Sequence, residues 1–64
     1  MESGDLIQVK EILPDHAPEI DWLLNLRGHY GIVLGKGKNI GPDACEILFS
    51  SGTHSLFNSW LEKK

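Results

Sequence analysis

The stretch Tyr30-Gly31-Ile32-Val33-Leu34 constrains the fold of this chain more than any other. Its β-branched and aromatic residues favour a pleated strand, and Gly28 and Gly35 bracket it. Gly35-Lys36-Gly37-Lys38-Asn39-Ile40-Gly41-Pro42-Asp43 then reads as a long turn-rich loop. Ala44–Phe49 is the next predicted strand, with Cys45, Ile47 and Phe49 facing inward and Glu46 outward. Ser50-Ser51-Gly52-Thr53 is a tight turn in which Gly52 supplies the positive φ that a hairpin needs. His54–Phe57 returns as a short strand, and Asn58-Ser59 breaks it with one 3₁₀ turn. Trp60-Leu61-Glu62 is expected as the last strand.

The first half is less regular. Gly4-Asp5 is a turn signal, and the alternation in Leu6–Lys10 places Ile7 and Val9 inward. Pro14-Asp15-His16-Ala17-Pro18 ends that strand. Asp15 is the expected N-cap of a short helix, with Pro18 in its first turn. Ile20, Leu23 and Leu24 are spaced as its apolar face, and Gly28 stops it. Two to three turns are too few to stand alone, so this helix must pack on something.

With 64 residues the chain is one domain with a thin core, since a chain of this size buries only about 60% of its unfolded surface. Several short strands between turn residues, and no long helix, predict a small barrel. The order of motifs resembles the small SH3-like barrel proteins of tailed phages, and it is similar to the KOW-type barrels of ribosomal and transcription proteins. Gly4, Asp5, Val9, Gly31, Val33, Ile47, Phe49, Gly52, Thr53, Trp60 and Leu61 carry that resemblance. It implies a mainly β fold over residues 1–64: a five-stranded SH3-like barrel with one short helix in the first long loop. For the phage members it also implies virion or accessory proteins that make protein contacts. Residues 11–28 depart from the bare pattern, and a partner-specific surface is expected there.

The residues offer little to catalytic or metal chemistry. His16, His29, Cys45 and His54 include no pair within two to five residues, so no chelating motif exists in the sequence. Cys45 is expected in the core, beside Glu46 and without the electropositive setting a thiolate needs. The serines fit turns, and no Gly-x-Ser-x-Gly elbow occurs. The glycine-rich loop lacks both the dinucleotide and the P-loop spacing, and a strand follows it instead of a helix. No catalytic residue, metal or cofactor is therefore expected. The acidic polar start is unlike a secretory signal, and no apolar run reaches membrane length. A virion or the host cytoplasm is the expected location.

Net charge is −3, which counts against general nucleic-acid binding. Residues 1–26 hold Glu2, Asp5, Glu11, Asp15, Glu19 and Asp21 against Lys10 alone. Arg27, Lys36 and Lys38 form a small basic tip, the weaker candidates for an anion or nucleic-acid contact. The candidates for protein contact are Trp22, Leu23, Leu26, Tyr30, Phe57 and Trp60, because apolar and aromatic side chains anchor interfaces. Within that set Trp60 is expected in the core and Leu23 on the inner helix face, while Trp22 and Phe57 divide evenly between core and surface. The expected function is a non-catalytic protein-binding module that docks on a larger viral or host assembly, with self-association possible. The alternatives are a nucleic-acid or ribosome-associated barrel and an acidic regulator of a host enzyme.

Overall fold

A computed structural model describes residues 2–37 and 43–64. Five strands form one antiparallel sheet: β1 (Leu6–Val9), β2 (Tyr30–Lys36), β3 (Ala44–Phe49), β4 (Gly52–Phe57) and β5 (Leu61–Lys63). One helix, α1 (Asp21–Leu26), lies between β1 and β2, and a 3₁₀ turn (Asn58–Trp60) joins β4 to β5. The strand order is β4-β3-β2-β1-β5, so β2 is the middle strand and the first strand, β1, also pairs with the last, β5. The mainly β class with one short helix in the first long loop is as the sequence predicts.

That order forces curvature. Laid flat, β4 and β5 would stand about 19 Å apart, four spacings of about 4.8 Å. Phe57 and Leu61 are only four residue steps apart, which reach at most about 14 Å when fully extended. The sheet must therefore curl until its two edges approach. The turn that crosses the gap is tied on both sides: Asn58 N–H donates to Asp43 O at 2.8 Å, and Trp60 O accepts from Lys10 N–H at 2.9 Å. The edges nonetheless do not pair, since β4 neighbours only β3 and β5 only β1. The expected barrel is thus realised only loosely, as an open, curled sheet.

The inside of the curl is the core. Ile7, Val9, Val33, Cys45, Ile47, Phe49, Leu56, Trp60 and Leu61 come from the strands and the 3₁₀ turn, while Leu23 and Leu26 come from α1. The inward assignments of Ile7, Val9, Cys45, Ile47 and Phe49 hold, because strict alternation in β1 and β3 leaves them no other face. Ile47 meets the backbone of β2 where a side chain is missing. A Cβ added to Gly31 would stand 2.5 Å from Ile47 Cγ2 and 3.0 Å from Leu48 O. At the hairpin, Phe49 pairs with Gly52, whose φ is +129°. Ser50 and Ser51 have no positive φ, so the turn is not a primed type. Gly52 follows it as the first residue of β4, in regular register with β3.

The helix departs from the sequence reading. It begins at Asp21, with Ile20 as an extended N-cap (φ −110°, ψ 134°) whose side chain makes no capping bond. Asp15 therefore caps nothing; it lies in a separate turn closed by Ala17 N–H on Pro14 O at 2.9 Å. The inward face is Leu23 and Leu26, an i, i+3 pair, with Leu24 half-buried and Ile20 exposed outside the helix. Packing, not length, holds six residues helical. Gly28 ends the helix at φ +79°, and its N–H donates to Val9 O at 2.8 Å, leading the chain directly into β2. Smaller shifts follow from ladder bonds: β2 runs on through Gly35 and Lys36, β4 begins at Gly52, and Trp60 belongs to the 3₁₀ turn. Residues 38–42 of the expected loop lie outside the described residues.

Gly31→Ala is expected to lower unfolding free energy by roughly 1–3 kcal/mol in urea titration, since backbone as well as side chain must give way. Gly35→Ala meets nothing within 4 Å and should change stability by no more than about 0.5 kcal/mol. Equal losses from the two would sink the close-approach argument.

Candidate protein-contact face

Every strand that points one residue into the curl points the next one out of it. In an antiparallel sheet with one solvated face, those outward residues are normally polar. Here they are not. The register Leu6↔Ile32 and Ile32↔Leu48 lays three aliphatic side chains in one row across β1, β2 and β3. The row ends on Thr53 of β4, paired with Leu48. Along β2, Tyr30 stands on one side of Ile32 and Leu34 on the other. Leu34 is the extra residue of a bulge, because Val33 opposes Ile47 while Gly35 opposes Glu46.

All five side chains are exposed: Leu6 by 44%, Tyr30 58%, Ile32 38%, Leu34 41% and Leu48 46%. Together they offer on the order of 400 Å² of accessible area, the scale at which a monomer's largest apolar patch is often functional. Polar groups stand round it. Gln8, opposite both Tyr30 and Glu62, donates from Nε2 to Gly28 O at 3.0 Å. Lys64 Nζ lies 3.3 Å from Glu62 Oε2 beyond β1, and Glu46 is half-buried beyond Leu34.

The residues singled out by sequence separate into three places. Leu23, Leu26 and Trp60 are in the core, at 0%, 6% and 4% exposure, so as contact residues they are corrected. Trp22 is exposed on α1 but not free. It stacks on His54 of β4 with centroids 5.1 Å apart and planes 6° from parallel, and His54 leans on Phe49 at 5.9 Å. Phe57 is half-buried and meets Trp60 edge-on at 5.0 Å. Only Tyr30 belongs to the outer face. Of the basic candidates, Arg27 is exposed with Nε donating to Leu24 O at 3.0 Å, Lys36 is exposed opposite Cys45, and Lys38 lies outside the described residues.

Leu6, Ile32, Leu34 and Leu48 were missed by the sequence reading. Their signal was present: Ile32-Val33-Leu34 and Ile47-Leu48-Phe49 are unbroken apolar runs, and an unbroken run in a strand covers both faces. Residues 11–28 prove less of a separate surface than expected. Leu23 and Leu26 are core, and Leu13 and Ala17 pack against it, although Ile12 remains almost fully exposed.

Among the described residues no three His, Cys, Asp or Glu side chains gather where they could hold a metal ion. Among the described residues no helix is long and apolar enough to cross a membrane. The Cys45 thiol is buried and donates to Asn58 Oδ1 at 2.9 Å, which links β3 to the 3₁₀ turn. Comparison with protein-family models, with curated proteins and with solved structures finds no match to this chain.

One charged group beside the face is perturbed. Glu2 N–H donates to Asp5 Oδ2 at 2.8 Å, and this bond holds the carboxyl below its ordinary value. Lys63 Nζ, 3.7 Å away, acts in the same direction, and desolvation opposes both. A lowered folded value means that the ionised form stabilises the fold above the unfolded value of about 3.9 and that this stabilisation disappears as pH falls through the folded value. Asp5→Asn should therefore melt below the native chain at pH 7, with the gap closing as pH falls through the lowered folded value of Asp5. Melting curves followed by circular dichroism check this, and a gap that widens on acidification would contradict it.

Proposed function

We propose that this protein is a non-catalytic protein-binding module, a small virion or accessory component of the tailed-phage type, that docks within a larger assembly through the outer face of its sheet. The observation that carries the reading is the row Leu6–Ile32–Leu48 with Tyr30 and Leu34, exposed on a sheet whose other face already holds the core. A chain of 64 residues has little apolar surface to spare, and leaving five large apolar side chains in water costs solubility unless a partner covers them. The strand order, with β5 returning beside β1 through a single 3₁₀ turn, supports the SH3-like comparison. The small curled interior is filled by side chains, which supports binding over catalysis.

The test is paired affinity purification from the native host, using tagged native chain and a tagged Ile32→Lys variant of matched circular dichroism. The native chain should recover defined structural components encoded beside its own gene, and the variant should lose them by tenfold or more, the effect of a charge buried in an interface. Recovery of the same proteins by both chains, or of none by the native chain, would sink the reading.

A further inference from the structure

We infer that the occupant of the outer face is a second copy of this chain, packed sheet against sheet about a two-fold axis that passes through Ile32; this rests on the binding-module reading. The arrangement of the five residues is the reason. Ile32 is at the centre, Leu6 and Leu48 flank it across the strands, and Tyr30 and Leu34 flank it along β2. A two-fold axis lying in the face and running close to the direction of β2 sends β1 of one copy over β3 of the other. Leu6 then covers Leu48, Leu48 covers Leu6, and Ile32 meets Ile32. The face is thus self-complementary in the sense an isologous interface demands, in which each contact occurs twice. Packed sheets keep their strands within about 30° of each other, which this axis permits.

Charge agrees with that placement. Beyond Leu6 the row continues to β5, where Lys64 N–H donates to Leu6 O, and beyond Leu48 it ends on Thr53. The same axis sets Lys64 over the partner copy's Thr53 hydroxyl, not over another lysine. Glu62, in the row of Gln8 and Tyr30, falls toward the Ser50-Ser51 turn. Lys64 and Glu62 thus each meet neutral hydroxyl residues, and neither is set against its own copy across the face.

Area sets the size class of the contact. The patch supplies on the order of 400 Å² per copy, and a rim of Gln8, Thr53 and Lys64 brings the covered area to roughly 1,000–1,200 Å² in all, the low end for a specific interface. The outer side of a curled sheet is convex, so little more can be gained. A patch at this low end suits a weak, transient pair, of the kind a larger assembly concentrates.

Sedimentation equilibrium of the native chain from about 10 µM to about 1 mM tests this, a span that brackets weak association. The mean mass should climb from 7.1 kDa toward twice that value. Ile32→Lys and Ile32→Glu, each checked for native circular dichroism, should stay monomeric at every concentration, because the axis sets each new charge against its own copy. An equimolar mixture of the two should dimerise, since the axis then pairs Lys with Glu. A native chain that stays at 7.1 kDa throughout would overturn the inference, as would variants that dimerise alone or a mixture that stays monomeric. A monomeric native chain that still loses its assembly partners on Ile32→Lys would overturn the second copy and keep the binding-module reading. Loss of neither mass nor partners would overturn both.

Discussion

The four residue steps from Phe57 to Leu61 are the constraint on which the rest of the structure depends. They must carry the chain from one edge of a five-stranded sheet to the other, and they can do so only if the sheet rolls up. Rolling creates the interior and also limits it. Eleven apolar side chains fill that space, two of them from a helix of six residues. Gly31 belongs to the same logic: Ile47 and the Leu48 carbonyl come so close to β2 that even a methyl group would collide. The bulge at Leu34 adds local twist further along the same strand, past the point where Val33 meets Ile47.

Residues 11–28 take their shape from this curl. An open rolled sheet leaves its interior partly uncovered, and Leu23 and Leu26 of α1 are buried in it. The Trp22–His54 stack and the Gly28 bond to Val9 hold the helix to β4 and to the end of β1. The stretch that departs from a bare barrel pattern is thus needed for the core. Its exposed remainder mixes the acids Glu11, Asp15, Glu19 and Asp21 with Arg27, His16 and the apolar Ile12, Ile20 and Trp22.

The strands were legible because their signals are local. Gly4, Gly28, Gly52 and Pro14 punctuate the chain, and Ile7, Val9, Cys45, Ile47 and Phe49 alternate without ambiguity. The helix face was less so. Ile20-Leu23-Leu24 and Leu23-Leu26 both satisfy helical spacing, and the choice depends on where the helix starts, which the extended backbone at Ile20 decides. Openness of the sheet was not legible at all, since it turns on whether β4 and β5 reach hydrogen-bonding distance. The outer face was legible in principle. Leu48 and Ile32 were passed over because an alternation rule assigns each strand one apolar face and stops there.

That second apolar face makes β2 carry two roles on alternate residues. Gly31 and Val33 point into the core, while Tyr30, Ile32 and Leu34 point away from it. Substitutions on the inner set act on folding, through overpacking or cavities. Substitutions on the outer set act on whatever covers the face, and reach the fold only through that occupant. In a chain with so thin a core the two are linked by mass action: a partner that binds only the folded state adds to its stability in proportion to the logarithm of partner concentration. The apolar residues that cannot be fitted inside a curled sheet of this size therefore still contribute to its stability when they are covered. The unbroken run Ile32-Val33-Leu34 is the sequence form of that arrangement, a central strand built to be buried from both sides.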